Sequence, residues 1–144
     1  MSEENLRWVV DASVGIKLFV EEEFSDLVHQ FFIKLANDSA TEYYVPDLFY
    51  IECANILLKY TRRFNRPLED ALADLIDLNK LALKTTPSAD LIEDSLLLAS
   101  VKKLSAYDAA YAVLAQKLDL PLITADVHLA RSIEWAVWIG DLDF

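Results

Sequence analysis

Short β-branched runs alternate along this chain with longer stretches of helical period, and that alternation constrains the fold more than any other feature. Residues 6–11 (LRWVVD) have the length and composition of a buried strand. Residues 43–45, 81–85, 120–125 and 136–139 read as further strands. Between them, residues 14–20, 25–37, 68–79, 88–103, 107–118 and 127–134 have helical character. In residues 25–37, Leu27, Val28, Phe31, Phe32 and Leu35 share one helical face. A long apolar helix is expected after Pro46, with Asp47 as its N-cap, running to about Phe64 before Asn65-Arg66-Pro67 breaks it. Such alternation implies right-handed crossovers and an α/β fold whose mainly parallel sheet is covered on both faces. No repeat or Pro-, Gly- or Ser-rich linker interrupts the 144 residues, so a single domain over 1–144 is expected.

Composition removes several chemistries. The single cysteine, Cys53, excludes an internal disulfide framework and a cysteine-based zinc site, and favours a reducing cytoplasm. Two histidines, His29 and His128, cannot supply a histidine-rich metal site, and there is no HExxH. Two glycines, Gly15 and Gly140, cannot write a P-loop or a GxGxxG turn. No run approaches the ~20 apolar residues of a bilayer span, and the acidic N-terminus is no secretory signal. Hydrophobic residues make up 54% of the chain, which points to a dense core plus an oligomer interface in a soluble protein.

Four acids then stand out by position. In open parallel sheets, reactive groups gather beyond the carboxyl ends of the strands. Asp11 ends the first strand and Asp126 follows the strand LPLIT. Either could instead only cap the helix after it. Glu52 has Leu48, Phe49 and Ile56 one turn away, an apolar face on which a carboxylate is costly unless paired or metal-bound. A salt bridge or a rim position would account for it more simply. Asp108 lies three residues after Ser105, near a capping box, and also suits the helix dipole. Acids crowded at one crevice repel unless a cation lies between them. With no cysteine or histidine to help, they read as a site for Mg²⁺ or Mn²⁺.

Three segments, VVDASVGIKLFVEEE, DLFYIECANIL and SAYDAAYAVLAQKLDLPLITAD, with the spacing between them, resemble the PIN-domain family and specifically its VapC-type ribonuclease toxins. The resemblance covers essentially the whole chain, with the pieces in the family's order. It implies a three-layer α/β/α sandwich and a Mg²⁺- or Mn²⁺-dependent endoribonuclease leaving a 5′-phosphate and a 3′-hydroxyl. Its acidic residues fall on Asp11, Glu52, Asp108 and Asp126, as catalytic residues and metal ligands. A hydroxyl residue of its last strand motif matches Thr124, expected to support Asp126, and Ser13 is a similar supporting candidate. The resemblance also implies a homodimer and a small antitoxin partner that blocks the crevice. Some relatives carry a further acid after the last aspartate. This chain has Val127 and His128 there, so a fifth ligand is not expected.

The charge of −11, from 24 acids and 13 bases, opposes non-specific nucleic-acid binding. Two bound divalent cations, adding four charges, would still leave −7. An RNA substrate therefore needs a local basic patch. Residues 59–66 (KYTRRFNR) supply one, with Lys59 and Arg63 returning to the helix face of Glu52, roughly 10 and 16 Å along the axis. They could guide the backbone, with Tyr60 and Phe64 free to stack, or merely answer the helix dipole. Lys17, Lys102 and Lys103 are further candidates. The rival readings are a catalytically silent protein-binding module and a phosphotransfer domain with Asp11 as acceptor. DAS lacks the second acid that the DxD pattern of haloacid-dehalogenase-like phosphatases requires.

Overall fold

Five short strands are found where the β-branched runs stand: β1 (Arg7–Val10), β2 (Glu42–Pro46), β3 (Lys84–Thr86), β4 (Leu122–Thr124) and β5 (Ala136–Trp138). They form one sheet in the order β3-β2-β1-β4-β5, and every neighbouring pair is parallel. The computed structural model describes residues 6–142. The connecting helices are α1 (Ala12–Gly15), α2 (Ser25–Asn37), α3 (Leu48–Phe64), α4 (Leu68–Asn79), α5 (Ile92–Lys102), α6 (Ala106–Leu118) and α7 (Val127–Ser132). The chain steps outward from β1 to β2 and β3, then crosses back to β4 and β5. Right-handed crossovers therefore put α1–α4 and α5–α7 on opposite faces, the α/β/α sandwich.

The central strands are the driest. Val9, Val10, Leu122 and Ile123 are fully buried, as expected of strands covered on both faces. Over them lies α6, whose Ala109, Ala110, Ala112 and Ala115 are all buried; these small side chains let the helix lie close to the sheet. A second apolar group joins α2 to β2. Phe31 stacks on Tyr43 at 4.3 Å, and the Tyr43 hydroxyl donates to the Phe31 carbonyl at 2.6 Å. Among the described residues, no helix is long and apolar enough to cross a membrane.

Three elements differ from the sequence expectation. Residues 14–20 do not form one helix, because α1 is a single turn followed by a 3₁₀ turn at Ile16–Leu18. Residues 88–103 likewise divide into a 3₁₀ turn, Ser88–Asp90, and α5. Asp47 precedes α3 but its side chain does not cap it. Its Oδ1 instead accepts from the Ser88 amide at 2.9 Å and from the Ser88 hydroxyl. That hydroxyl in turn accepts from the Leu48 amide at 3.3 Å. The α3 N-terminus is thus satisfied by the segment that follows β3, a partner 40 residues away that local sequence could not reveal.

Candidate active site

The strand order reverses between β1 and β4, and the carboxyl ends of these two neighbours form the switch point where parallel sheets build their sites. Asp11 leaves β1 there and Asp126 leaves β4 just beyond Thr124. Helix α3 starts at the same edge because it directly follows β2, and α6 starts there because it must end where β4 begins. Glu52 and Asp108 both lie within about the first turn of these helices. One glycine is needed for the approach. A Cβ on Gly15 would stand 2.7 Å from the ring of Phe49, which is itself fully buried, so α1 can lie against α3 only without a side chain there.

Asp11 does not act as a helix cap. It is 5% exposed and its side chain makes no capping bond to α1. Its Oδ2 accepts from the Ser13 hydroxyl at 2.6 Å and the Thr124 hydroxyl at 2.9 Å. Each hydroxyl has one proton, and both are committed to Asp11, so the 3.4 Å approach of Ser13 to Thr124 is a contact without a bond. The two hydroxyls also accept, Ser13 from the Ala125 amide and Thr124 from the Asp126 amide, each at 3.0 Å. They lock the turn after β4 to the carboxylate that ends β1. Thr124 therefore serves Asp11 through its hydroxyl and holds Asp126 only by the backbone. Asp126 itself caps α7, its Oδ1 accepting from the Leu129 amide at 3.2 Å.

Glu52 is half-buried, and among the described residues no ion pair accounts for it. Its partner is Tyr111, whose hydroxyl donates to Oε1 at 2.6 Å. Tyr111 is fully buried on α6, one turn beyond Asp108, and the sequence reading passed it over. Its position three residues after a candidate acid, on the same helix face, was the available signal. Ser105 accepts from the Asp108 amide at 3.1 Å, the expected cap.

Burial raises the pKa of three of the four acids. Desolvation lifts Asp11 to about 7 against the pull of its two hydroxyl donors, and the charges of Asp108 and Glu52 lift it further. Glu52 rises through burial and the charge of Asp108, with the Tyr111 hydrogen bond opposing. Asp108 rises through burial and the charge of Asp126, opposed by Ser105 and by His128. Each acid feels at least one of the others, and no lysine or arginine offsets them. The same surroundings push Tyr111 and Cys53 up, so both stay protonated. Among the described residues no three acid, histidine or cysteine side chains are drawn together as a ready cation cage. The donor set nevertheless suits a hard divalent cation. It is all oxygen and strongly negative, and Asp11 Oδ1 and Glu52 Oε2 accept no protein hydrogen bond among the described residues.

The basic row is tempered. Lys59 and Arg63 are exposed and line a groove with Ile56, Tyr60 and Phe64, but Glu21, Glu22 and Glu23 line it too. Lys17 is buried and its ammonium is held by Glu22 at 2.9 Å, so it is not free for a phosphate.

Residues 8–132 match the family model of the PIN domain. The chain belongs to the PIN domain family. This PIN domain is 36% identical over 129 residues to Ribonuclease VapC3 of Pyrobaculum aerophilum, covering 88% of this chain and 94% of that protein. A crystal structure of a Pyrobaculum aerophilum protein is similar with TM-score 0.67 at 21% identity, over 94% of this chain and 90% of that one. A toxin–antitoxin complex from Klebsiella pneumoniae contains a chain similar with TM-score 0.64 at 16% identity, over 93% and 98%. At such identities the structural likeness speaks for the PIN fold alone.

Proposed function

We propose that the chain is a divalent-cation-dependent endoribonuclease, acting as the toxin of a toxin–antitoxin pair. The observation that carries this reading is the set of four mutually repelling carboxylates at the switch point, buried with no lysine or arginine to balance them. The 36% identity to a ribonuclease supports RNA as the substrate. In this reading Asp11 and Asp108 are the central ligands of Mg²⁺ or Mn²⁺, and Glu52 and Asp126 complete the shell or orient water. When bound, the cation supplies Lewis acidity at the phosphate and an acidified water. Ser13 and Thr124 keep Asp11 in one rotamer, and Tyr111 does the same for Glu52. The ligands need not be reorganised when substrate arrives. Lys59 and Arg63 would receive the RNA backbone.

The partner and assembly belong to the same proposal. The toxin–antitoxin complex among the structural neighbours supports a small antitoxin protein as partner. A homodimer is supported by α5, which is apolar on nearly every side. Its Leu91 and Ala99 are buried, while Ile92, Leu96, Leu97 and Val101 remain 61–75% exposed. The cytoplasm is the proposed compartment, and residues 1–144 are proposed as one domain. Purified protein incubated with an RNA panel tests the activity. Cleavage that needs Mn²⁺, stops with EDTA and is lost in Asp11→Asn supports the reading. Cleavage that survives EDTA, or none at all, overturns it.

A further inference from the structure

On α3, Glu52 stands on a ridge between two unlike grooves. At about 100° per residue, Lys59 and Arg63 continue in line with Glu52, Ile56 and Tyr60 fall on one flank, and Ile51, Asn55 and Leu58 on the other. The first flank borders the charged groove with Glu21–Glu23. The second opens on a groove of about 530 Å³ lined by Ile51, Glu52, Ala54, Asn55, Leu58 and Tyr107. This volume lies within the ~300–1,000 Å³ of small-ligand clefts. Ile51 is 71% and Tyr107 65% exposed, unusual for side chains this apolar at the mouth of a polar site. Tyr107 immediately precedes Asp108, so the groove touches the candidate carboxylates through both helices.

We propose that this groove is the subsite for one nucleobase flanking the scissile phosphate, stacked on Tyr107, with Asn55 available to its hydrogen-bonding edge. The inference rests on the nuclease reading and adds to it where the substrate's base is held. Three features select a base. The groove is continuous with Glu52, so a chain anchored at the acids must pass along it or along the charged side. It holds no cation, and its one charge, Glu52, repels phosphate while tolerating an uncharged ring. Its lining combines an aromatic face, aliphatic walls and an amide that can both donate and accept, the chemistry of a base-binding platform.

The test uses the full chain with Mn²⁺ and a short RNA whose cleaved bond has been mapped with the unsubstituted protein. Tyr107→Ala should raise KM roughly 5- to 150-fold, the loss expected of one stacked base, with kcat little changed. Tyr107→Phe, which keeps the ring, should restore KM. Removing the base at one nucleotide flanking the cleaved bond should cost the unsubstituted protein a similar factor and cost Tyr107→Ala nothing more. An unchanged KM in Tyr107→Ala, or an abasic penalty that it leaves intact, overturns the subsite and leaves the nuclease standing. A dimer that falls to monomers in Tyr107→Ala assigns the groove to a second copy and also overturns it. No cleavage by the unsubstituted chain overturns the nuclease reading, and the subsite with it.

Discussion

Asp11 is the residue on which folding and chemistry oppose each other most directly. Burial lifts its carboxyl from the usual 3.8 to about 7. Between those values the folded chain holds a proton that the unfolded chain has released, so without metal stability should fall as pH rises from about 4 to 7. The loss should reach on the order of a few kcal/mol and remain above pH 7. Thermal melts of EDTA-treated protein should therefore show a lower Tm at pH 8 than at pH 5, and Asp11→Asn should flatten that difference while raising Tm at pH 8. An Asp11→Asn protein that melts lower at pH 8 would contradict the assignment. Thr124→Val keeps the volume but removes one of two donors to Asp11, and should lower cleavage by roughly 10- to 100-fold. Ser13 and Thr124 could be named from the sequence because hydroxyls stood near the two strand-end acids. That Thr124 turns to Asp11 could not, since the pairing of β1 with β4 brings together residues 113 apart.

At the scale of elements, α3 carries most of the argument. Its bounds were legible because Pro46 and Asn65-Arg66-Pro67 punctuate it, and Asn65 closes it in the left-handed conformation. Its N-terminal partner, Ser88, was not legible, because the bond crosses from the segment after β3. Gly15→Ala should cost about 1–3 kcal/mol in denaturant unfolding by forcing α1 away from Phe49; a neutral change would show that the Phe49 ring has room to move. Further along α3, Lys59→Glu with Arg63→Glu should weaken RNA binding and reduce the slope of log affinity against log salt by about 1.4, two phosphate contacts on a single strand. Glu21→Gln with Glu23→Gln should act oppositely and tighten binding, since these acids share the groove with the two cations. Binding that ignores both pairs would remove this face from the RNA path.

For the molecule as a whole, the sequence conveyed the sheet and the layers because the period switches between 2 and 3.6 at nearly every boundary. It conveyed less about what lies outside the fold, since an apolar helix such as α5 looks the same whether the chain or another copy covers it. Leu97→Glu with Val101→Glu should reduce the mass measured by light scattering from dimer to monomer without lowering Tm; a dimer that persists would exclude α5 from the interface. The centre of the account is that acids from β1, α3, α6 and the turn after β4 form one cation site. Anomalous scattering from a crystal grown with Mn²⁺ tests that directly. The account predicts a peak bounded by the carboxylates of Asp11, Glu52, Asp108 and Asp126. No peak among them at saturating Mn²⁺, with the four side chains still apart, would contradict it.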